Sequence, residues 1–455
     1  MPTTQTPCAT GRPWRARPFP GDLAAPTMLT REEVDYLHWL GAEWCAGVGR
    51  VCDLGCFLGG STIPLAQGLA SNPRSRAGLL AYDSFVMHPG SARTFPVGVG
   101  AGESFRPVFD SYTAPWRAGI TVREGLLPDG VPEDGGRAIY PEQEPIELLF
   151  NDCSKRWGVH KCVLWAFGRH LIPGRSMLVQ QDFKSYGEFW IPLHMFALRD
   201  CFELGHEVPS SASVSFTYVG GLTEERVRAL PVSLAPDAVA PAWDAVQDWW
   251  ESRAGPATCY VLTLCRAYHL ACSHEWAQSE RALAGAACGL DPAELGEEAE
   301  WARAEWRRTL AGCRRLAREH GAGEAFGALE GTTLPGADRH AAAETSRLRA
   351  ALWARVAEVC AARGWKDVAL YGAGRHTAEM LRSGWPGNGL RVAAVIDDYS
   401  LAPEIEGVRV CRPAGAGPID GVVVSSAAGE EMLARAAEKS LRGVPIVRIY
   451  GAPAS

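Results

Sequence analysis

The chain has 455 residues, a formal net charge of −7, and 47% hydrophobic and 21% charged residues. At a soft prior of roughly 150 residues per domain, that length asks for two or three cores rather than one, and the composition excludes wholesale disorder. An acidic balance without a run of Lys and Arg gives a phosphate backbone no attractive field, so nucleic acid is excluded as a partner. The 14 Cys are scattered, with no CxxC pair and no secretory leader, which fits reduced thiols and a cytoplasmic location. No apolar stretch approaches the roughly 18 residues of a membrane span.

In chain order, residues 1–28 read as a flexible leader. Thr30-Arg-Glu-Glu33 is a capping box that opens a helix carrying Val34, Leu37, Leu40 and Trp44. Short apolar runs then alternate with helical segments. Val51–Leu54, Leu79–Tyr82, Ile120–Val122, Ile146–Phe150 and Met177–Val179 are expected to be buried parallel strands. Cys201–Glu207 and Ser213–Val219 are expected to close the sheet, the second pairing antiparallel. A domain of this kind over 29–235 is followed by a helical region over 236–364. The Trp-rich helices there, including Trp243, Trp249 and Trp250, suit a core, an interface between copies of the chain, or an acceptor cleft. Strand–helix alternation returns over 365–455, with strands expected at Val368–Tyr371, Val392–Ile396, Gly421–Val424 and Pro445–Ile449. The expected fold class is α/β: a seven-stranded Rossmann-like sheet, a helical connection and a smaller Rossmann-like domain.

The turn after the first strand, Asp53-Leu-Gly55-Cys-Phe-Leu-Gly59-Gly60-Ser61-Thr62, has the form that lets a backbone pass beside a nucleoside. Glycines 55, 59 and 60 carry no Cβ, and Ser61 and Thr62 can line the next helix start. Asp83 at the end of the second strand can grip two ribose hydroxyls at once. Glu124, after the third strand, is placed to approach adenine or ribose.

That turn resembles the first motif of class I methyltransferases, in particular the macrocin O-methyltransferase-like branch. The resemblance covers about residues 30–220 and continues through Ala81-Tyr-Asp-Ser84, Ile146–Asp152, Leu171-Ile-Pro-Gly-Arg175 and Gln180-Gln-Asp-Phe183. It implies S-adenosylmethionine as methyl donor, held by Asp53, Gly55, Gly59, Gly60, Ser61, Asp83 and Glu124. In that branch a His after the fourth strand and paired acids after the fifth serve a divalent metal. Here those places read Asn151-Asp-Cys-Ser-Lys155 and Gln181-Asp182. Asp152 and Asp182 remain as candidate ligands for Mg²⁺. Lys155 is a candidate for holding an anionic group or acting as a base, and His88, His160 and His194 are candidate bases by location.

Val368-Ala-Leu-Tyr-Gly372-Ala-Gly374-Arg-His-Thr377, with Asp397 ending the next strand, has the dinucleotide-binding layout, with Thr377 in place of the third Gly. The segment 365–452 resembles small Rossmann-like domains of sugar-modifying enzymes, which implies a nucleotide, sugar nucleotide or NAD at Gly372, Gly374, Thr377 and Asp397. The expectation for the whole chain is methylation, through oxygen, of a sugar, glycan intermediate or polar metabolite, with a small molecule or sugar nucleotide as substrate. Its rivals are a non-catalytic nucleotide-sugar-binding or assembly protein and an NAD-linked oxidoreductase using the second turn.

Overall fold

The computed structural model describes residues 11–75, 78–95, 97–329, 332, 353–373, 375–386, 389–397, 403–425 and 430–449. The chain forms two compact units, Met1–Gly336 and Ala337–Ser455.

The first unit is built on seven strands: β1 Arg50–Leu54, β2 Leu79–Asp83, β3 Ile120–Glu124, β4 Ile146–Asn151, β5 Met177–Gln180, β6 Phe202–Glu207 and β7 Val214–Tyr218. Their order is β3-β2-β1-β4-β5-β7-β6, with β7 antiparallel to both neighbours and the remaining pairings parallel. This is the doubly wound, seven-stranded α/β sheet expected from the sequence. Both faces of its centre are covered, which is why β1, β2, β4 and β5 are buried, mainly apolar stretches, while the outer β3 and β6 are largely polar. Cys52, Leu80, Leu149 and Leu178 point into one cluster, and Val51, Leu79, Leu148 and Met177 into the other.

Helix α1, Arg31–Trp39, starts with the expected capping box: the Thr30 hydroxyl accepts from Glu33 N (3.2 Å), and Thr30 N donates to Glu33 Oε2 (2.7 Å). Residues 11–28 do not behave as the free leader expected of them. Trp14 is buried, donates from Nε1 to Glu32 Oε1 (2.7 Å) and meets the edge of Tyr36. Phe19 is buried as well, and its amide donates to Asp35 Oδ1 (2.9 Å). Burying two aromatic rings stabilises the segment by ~2–3 kcal/mol each, and isolated anchors of this kind leave no periodicity to read. Residues 1–10 lie outside the described residues.

The helical region is not a separate layer. Trp243, Trp250, Leu262, Leu283 and Trp306 share the apolar cluster of one sheet face, and Trp250 packs edge-on against Phe183 and Phe216. Its described part, up to Leu329, therefore belongs to the first unit, and these tryptophans are core.

The second unit holds β8 Asp367–Tyr371, β9 Arg391–Ile396, β10 Glu404–Ile405, β11 Val408–Cys411, β12 Gly421–Val424 and β13 Ile446–Arg448, in the order β10-β11-β9-β8-β12-β13. All pairings are parallel except the β10–β11 hairpin. That hairpin was not among the expected strands. Its signal is only the pair Glu406-Gly407, both at positive φ, as a tight primed turn requires.

Candidate active site

In a doubly wound sheet, ligands sit outside the carboxyl ends of the strands where the strand order reverses. Here the reversal lies between β1 and β4, so the place to examine is flanked by the turn after Leu54 and the chain after Asn151.

Gly55 takes φ +85°, and a Cβ there would stand 2.7 Å from the Asp152 carbonyl oxygen. Only glycine lets the two strand ends approach this closely. Gly59 also has positive φ (+99°), and a Cβ on Gly60 would come within 2.7 Å of Thr27 Cβ in the N-terminal segment. Gly59 and Gly60 are buried, so they shape the turn from behind.

Asp83 is the hub. Its Oδ2 accepts from Phe57 N and its Oδ1 from Phe85 N, each at 2.9 Å. Both phenylalanines sit in the left-handed region, at φ 42° and 52°. A bulky residue there is strained by on the order of 1–3 kcal/mol, and such strain persists where the surroundings over-determine it. Phe57 is further gripped edge-on by Phe95 and Phe105. Asp83 remains partly exposed; the Ser84 hydroxyl also donates to Oδ1 (3.4 Å), while Oδ2 keeps a second lone pair for a ligand. Burial pushes its pKa up against the two amide bonds. Glu124 is exposed and stands in register with Asp83 on β3. The two phenylalanines escaped the sequence reading; an aromatic residue between Gly55 and Gly59 was the available sign.

Asp53 and Ser61, expected to touch a cofactor, are turned to each other instead. Asp53 is fully buried and accepts from Ser61 Oγ (2.9 and 3.0 Å) and Thr62 Oγ1 (2.5 Å). These bonds staple the strand end to the start of helix α2, Thr62–Ser71. Burial raises the Asp53 pKa to about 7, with Thr62 and Ser61 opposing and Asp83 adding to the rise.

Beside the Gly55 turn lies a charged group from two strand ends, after β4 and after β5. Lys155 Nζ donates to Asp152 Oδ1 (2.8 Å) and to Asp182 Oδ2. The Gln181 amide, with its nitrogen facing the acids, donates to Asp152 Oδ1 (3.1 Å) and Asp182 Oδ1 (2.7 Å). Three of the four carboxylate oxygens are thus occupied. Asp152 Oδ2 has no bond among the described residues. Burial works against the Lys155 ammonium, but Asp152 and Asp182 outweigh it and hold its pKa well above the ordinary value. The Asp152 carboxyl is raised to about 7 by burial, with Lys155 opposing and Asp182 adding. Glu188 is raised too, by burial and then by Asp182. Trp190 closes this side, donating to Ser154 O (2.9 Å) beside Trp157.

This arrangement corrects several expectations. Lys155 is neutralised by two acids and is no free cation for an anionic substrate. Nor do Asp152 and Asp182 suit Mg²⁺, because an ammonium already stands on both. Among the described residues no group of three His, Cys, Asp or Glu side chains is placed to hold a metal. His88 is exposed and caps the short helix Pro89–Thr94, accepting from Gly90 N (3.1 Å). His160 and His194 lie in a buried relay: Asn151 Nδ2 to Gln180 Oε1 (2.6 Å), Gln180 Nε2 to His160 Nε2 (2.9 Å), His160 Nδ1 to His194 Nδ1 (3.0 Å), and His194 Nε2 to Pro231 O (2.8 Å). Burial holds both imidazoles neutral, with His194 at about 4.

No family model and no curated protein matches the sequence. Among solved structures, the chain is similar to the O-methyltransferase NovP at 13% identity, covering 43% of this chain and 82% of that one, with a TM-score of 0.33. It is similar to a putative O-methyltransferase from Klebsiella pneumoniae at 18% identity, covering 46% and 94%, with a TM-score of 0.31. It is also similar to the TDP-rhamnose 3'-O-methyltransferase CalS11 of calicheamicin biosynthesis at 21% identity, covering 40% and 76%, with a TM-score of 0.28. Superpositions this loose carry no argument about activity, which must come from the chain's own geometry.

In the second unit, Gly372 takes φ +106°, and Asp397 Oδ2 accepts from Ala373 N (2.7 Å). Thr377 is buried with its hydroxyl donating to Gly372 O, so it faces the turn and not a phosphate. Gly374 lies outside the described residues. No helix among the described residues is long and apolar enough to cross a membrane.

Proposed function

We propose that the first unit is an S-adenosylmethionine-dependent methyltransferase acting on a hydroxyl of a sugar or related polar metabolite. The observation that carries this reading is the set of residues gathered where the strand order reverses between β1 and β4. There a strained turn, pinned by Asp83, faces an ionisable carboxylate with one unpaired oxygen. S-adenosylmethionine, when bound, supplies a methyl group made electrophilic by its sulfonium. Asp83 would hold the ribose hydroxyls, the Gly55–Phe57 backbone would border the adenosyl group, and Glu124 would stand at the rim.

The chain's remaining task is to align a hydroxyl in line and take its proton. Asp152 lies at the end of β4, in contact with the Gly55 turn, and its free Oδ2 is the proton acceptor in this scheme. A pKa near 7 suits that role, since a substantial share of the carboxyl is ionised at neutral pH and the ionised form is more basic than an ordinary carboxylate. Gln181 and Lys155 fix the other oxygen and so orient the free one. Trp190 and Trp157 offer an apolar wall to a sugar ring.

Isothermal titration with S-adenosylhomocysteine should give one site per chain, weakened by on the order of 30-fold in Asp83→Ala. A folded protein that takes up none refutes the reading. Methyl transfer to a panel of sugar nucleotides and glycosides then identifies the acceptor.

A further inference from the structure

We propose that Lys155 is an internal substitute for a divalent cation, so that the acceptor side of the crevice works with a built-in charge and no metal. The inference rests on the methyltransferase reading for its role in catalysis, but its geometry stands apart from it. The two carboxylates that would bind a metal come from different strand ends, just after β4 and just after β5. Left unpaired, two partly buried acids this close would repel and resist ionisation. A hard cation with oxygen ligands is one remedy. This chain supplies another: one ammonium bonded to Asp152 Oδ1 and Asp182 Oδ2, with the Gln181 amide bridging Oδ1 to Oδ1.

The substitution is chemically uneven, and the unevenness fits the rest of the site. An ammonium has three N–H donors. Two are spent on the acids, and the third has no partner among the described residues, so it can donate to an acceptor hydroxyl. A single ammonium polarises that hydroxyl less than a divalent ion would, so the proton must go to a true base. Asp152 Oδ2 is left unpaired for that purpose. Lys155 therefore has two tasks, setting the carboxylates and touching the acceptor hydroxyl with one donor, while Asp152 takes the proton.

Binding of Mn²⁺ to the full chain, read from the free-ion electron paramagnetic resonance signal, tests this without any acceptor. Wild type should show no stoichiometric site. Lys155→Ala and Lys155→Gln, checked for folding by circular dichroism, should each gain one Mn²⁺ per chain, and Asp182→Asn in either background should remove it. A wild-type Mn²⁺ site that disappears in Asp182→Asn overturns the proposal. So do folded Lys155 variants that remain as blind to Mn²⁺ as wild type. Failure to bind S-adenosylhomocysteine would sink the methyltransferase reading and leave these outcomes unchanged.

Discussion

The two glycine turns of this chain share one hydrogen-bonded frame and diverge in the side chains set upon it. In the first unit Gly55 N donates to Tyr82 O (2.8 Å), Asp152 N to Leu54 O (2.9 Å) and Phe57 N to Asp83. In the second, Gly372 N donates to Ile396 O (2.8 Å), Ser425 N to Tyr371 O (3.0 Å) and Ala373 N to Asp397. Gly55 thus matches Gly372, Asp83 matches Asp397, and Asp152 matches Ser425. The strand acid Asp53 is matched by Leu370, a core residue. A glycine turn and a strand-end acid are therefore properties of the frame. What separates the units is a carboxylate with a raised pKa against a neutral hydroxyl, and strained phenylalanines against an alanine.

The comparison breaks most visibly at Asp152, the base of the proposed scheme. Asp152→Asn should lower methyl transfer by about 10²–10⁴-fold while S-adenosylhomocysteine binding, by titration calorimetry, stays within a few-fold. Ser425→Ala at the matching position should alter neither. Next comes the hub acid. Asp83→Ala frees two strained amides and should weaken S-adenosylhomocysteine by on the order of 30-fold, or about 2 kcal/mol, whereas Asp397→Ala leaves that affinity untouched.

A pH profile sharpens the same contrast. Only ionised Asp152 accepts a proton, so kcat/KM should rise with pH and level off above about 7, falling roughly tenfold per unit on the acid side. A profile flat between pH 5 and 8 would remove Asp152 from the chemistry. The smallest effect is expected from the glycines. Gly55→Ala meets a backbone oxygen at 2.7 Å, whereas Gly372→Ala first meets the flexible Leu433 Cδ1 at 3.0 Å. Both suffer strain of about 1 kcal/mol from positive φ. By differential scanning calorimetry, the Gly55 variant should lose more Tm in its own unit than the Gly372 variant does in the other.

The sheets were legible because strands buried on both faces are plain apolar runs. Leu79–Tyr82 and Gly421–Val424 are examples. Trp14 and Phe19 were not, since their anchoring depends on Glu32 and Asp35 across a turn. At the site, residue type located Asp83, Asp152 and Lys155 but could not say which way they point. Asp53 and Ser61 look like ligand contacts until one sees that they satisfy each other. The Lys155 bridge depends on β4 and β5 ending side by side, a matter of register that no local pattern records.

The buried relay from Asn151 to Pro231 carries a consequence for modularity. His194 Nε2 finds its acceptor on the segment that leads into the helical region, and the far end of the chain of bonds sits beside Asp152. Severing the polypeptide after β7 would strip that acceptor, uncover Phe183 and Phe216, and loosen the amide that sets the end of β4. The helices are thus part of the first unit's own interior, and a shortened version kept for its sheet alone would forfeit the cluster it was meant to isolate.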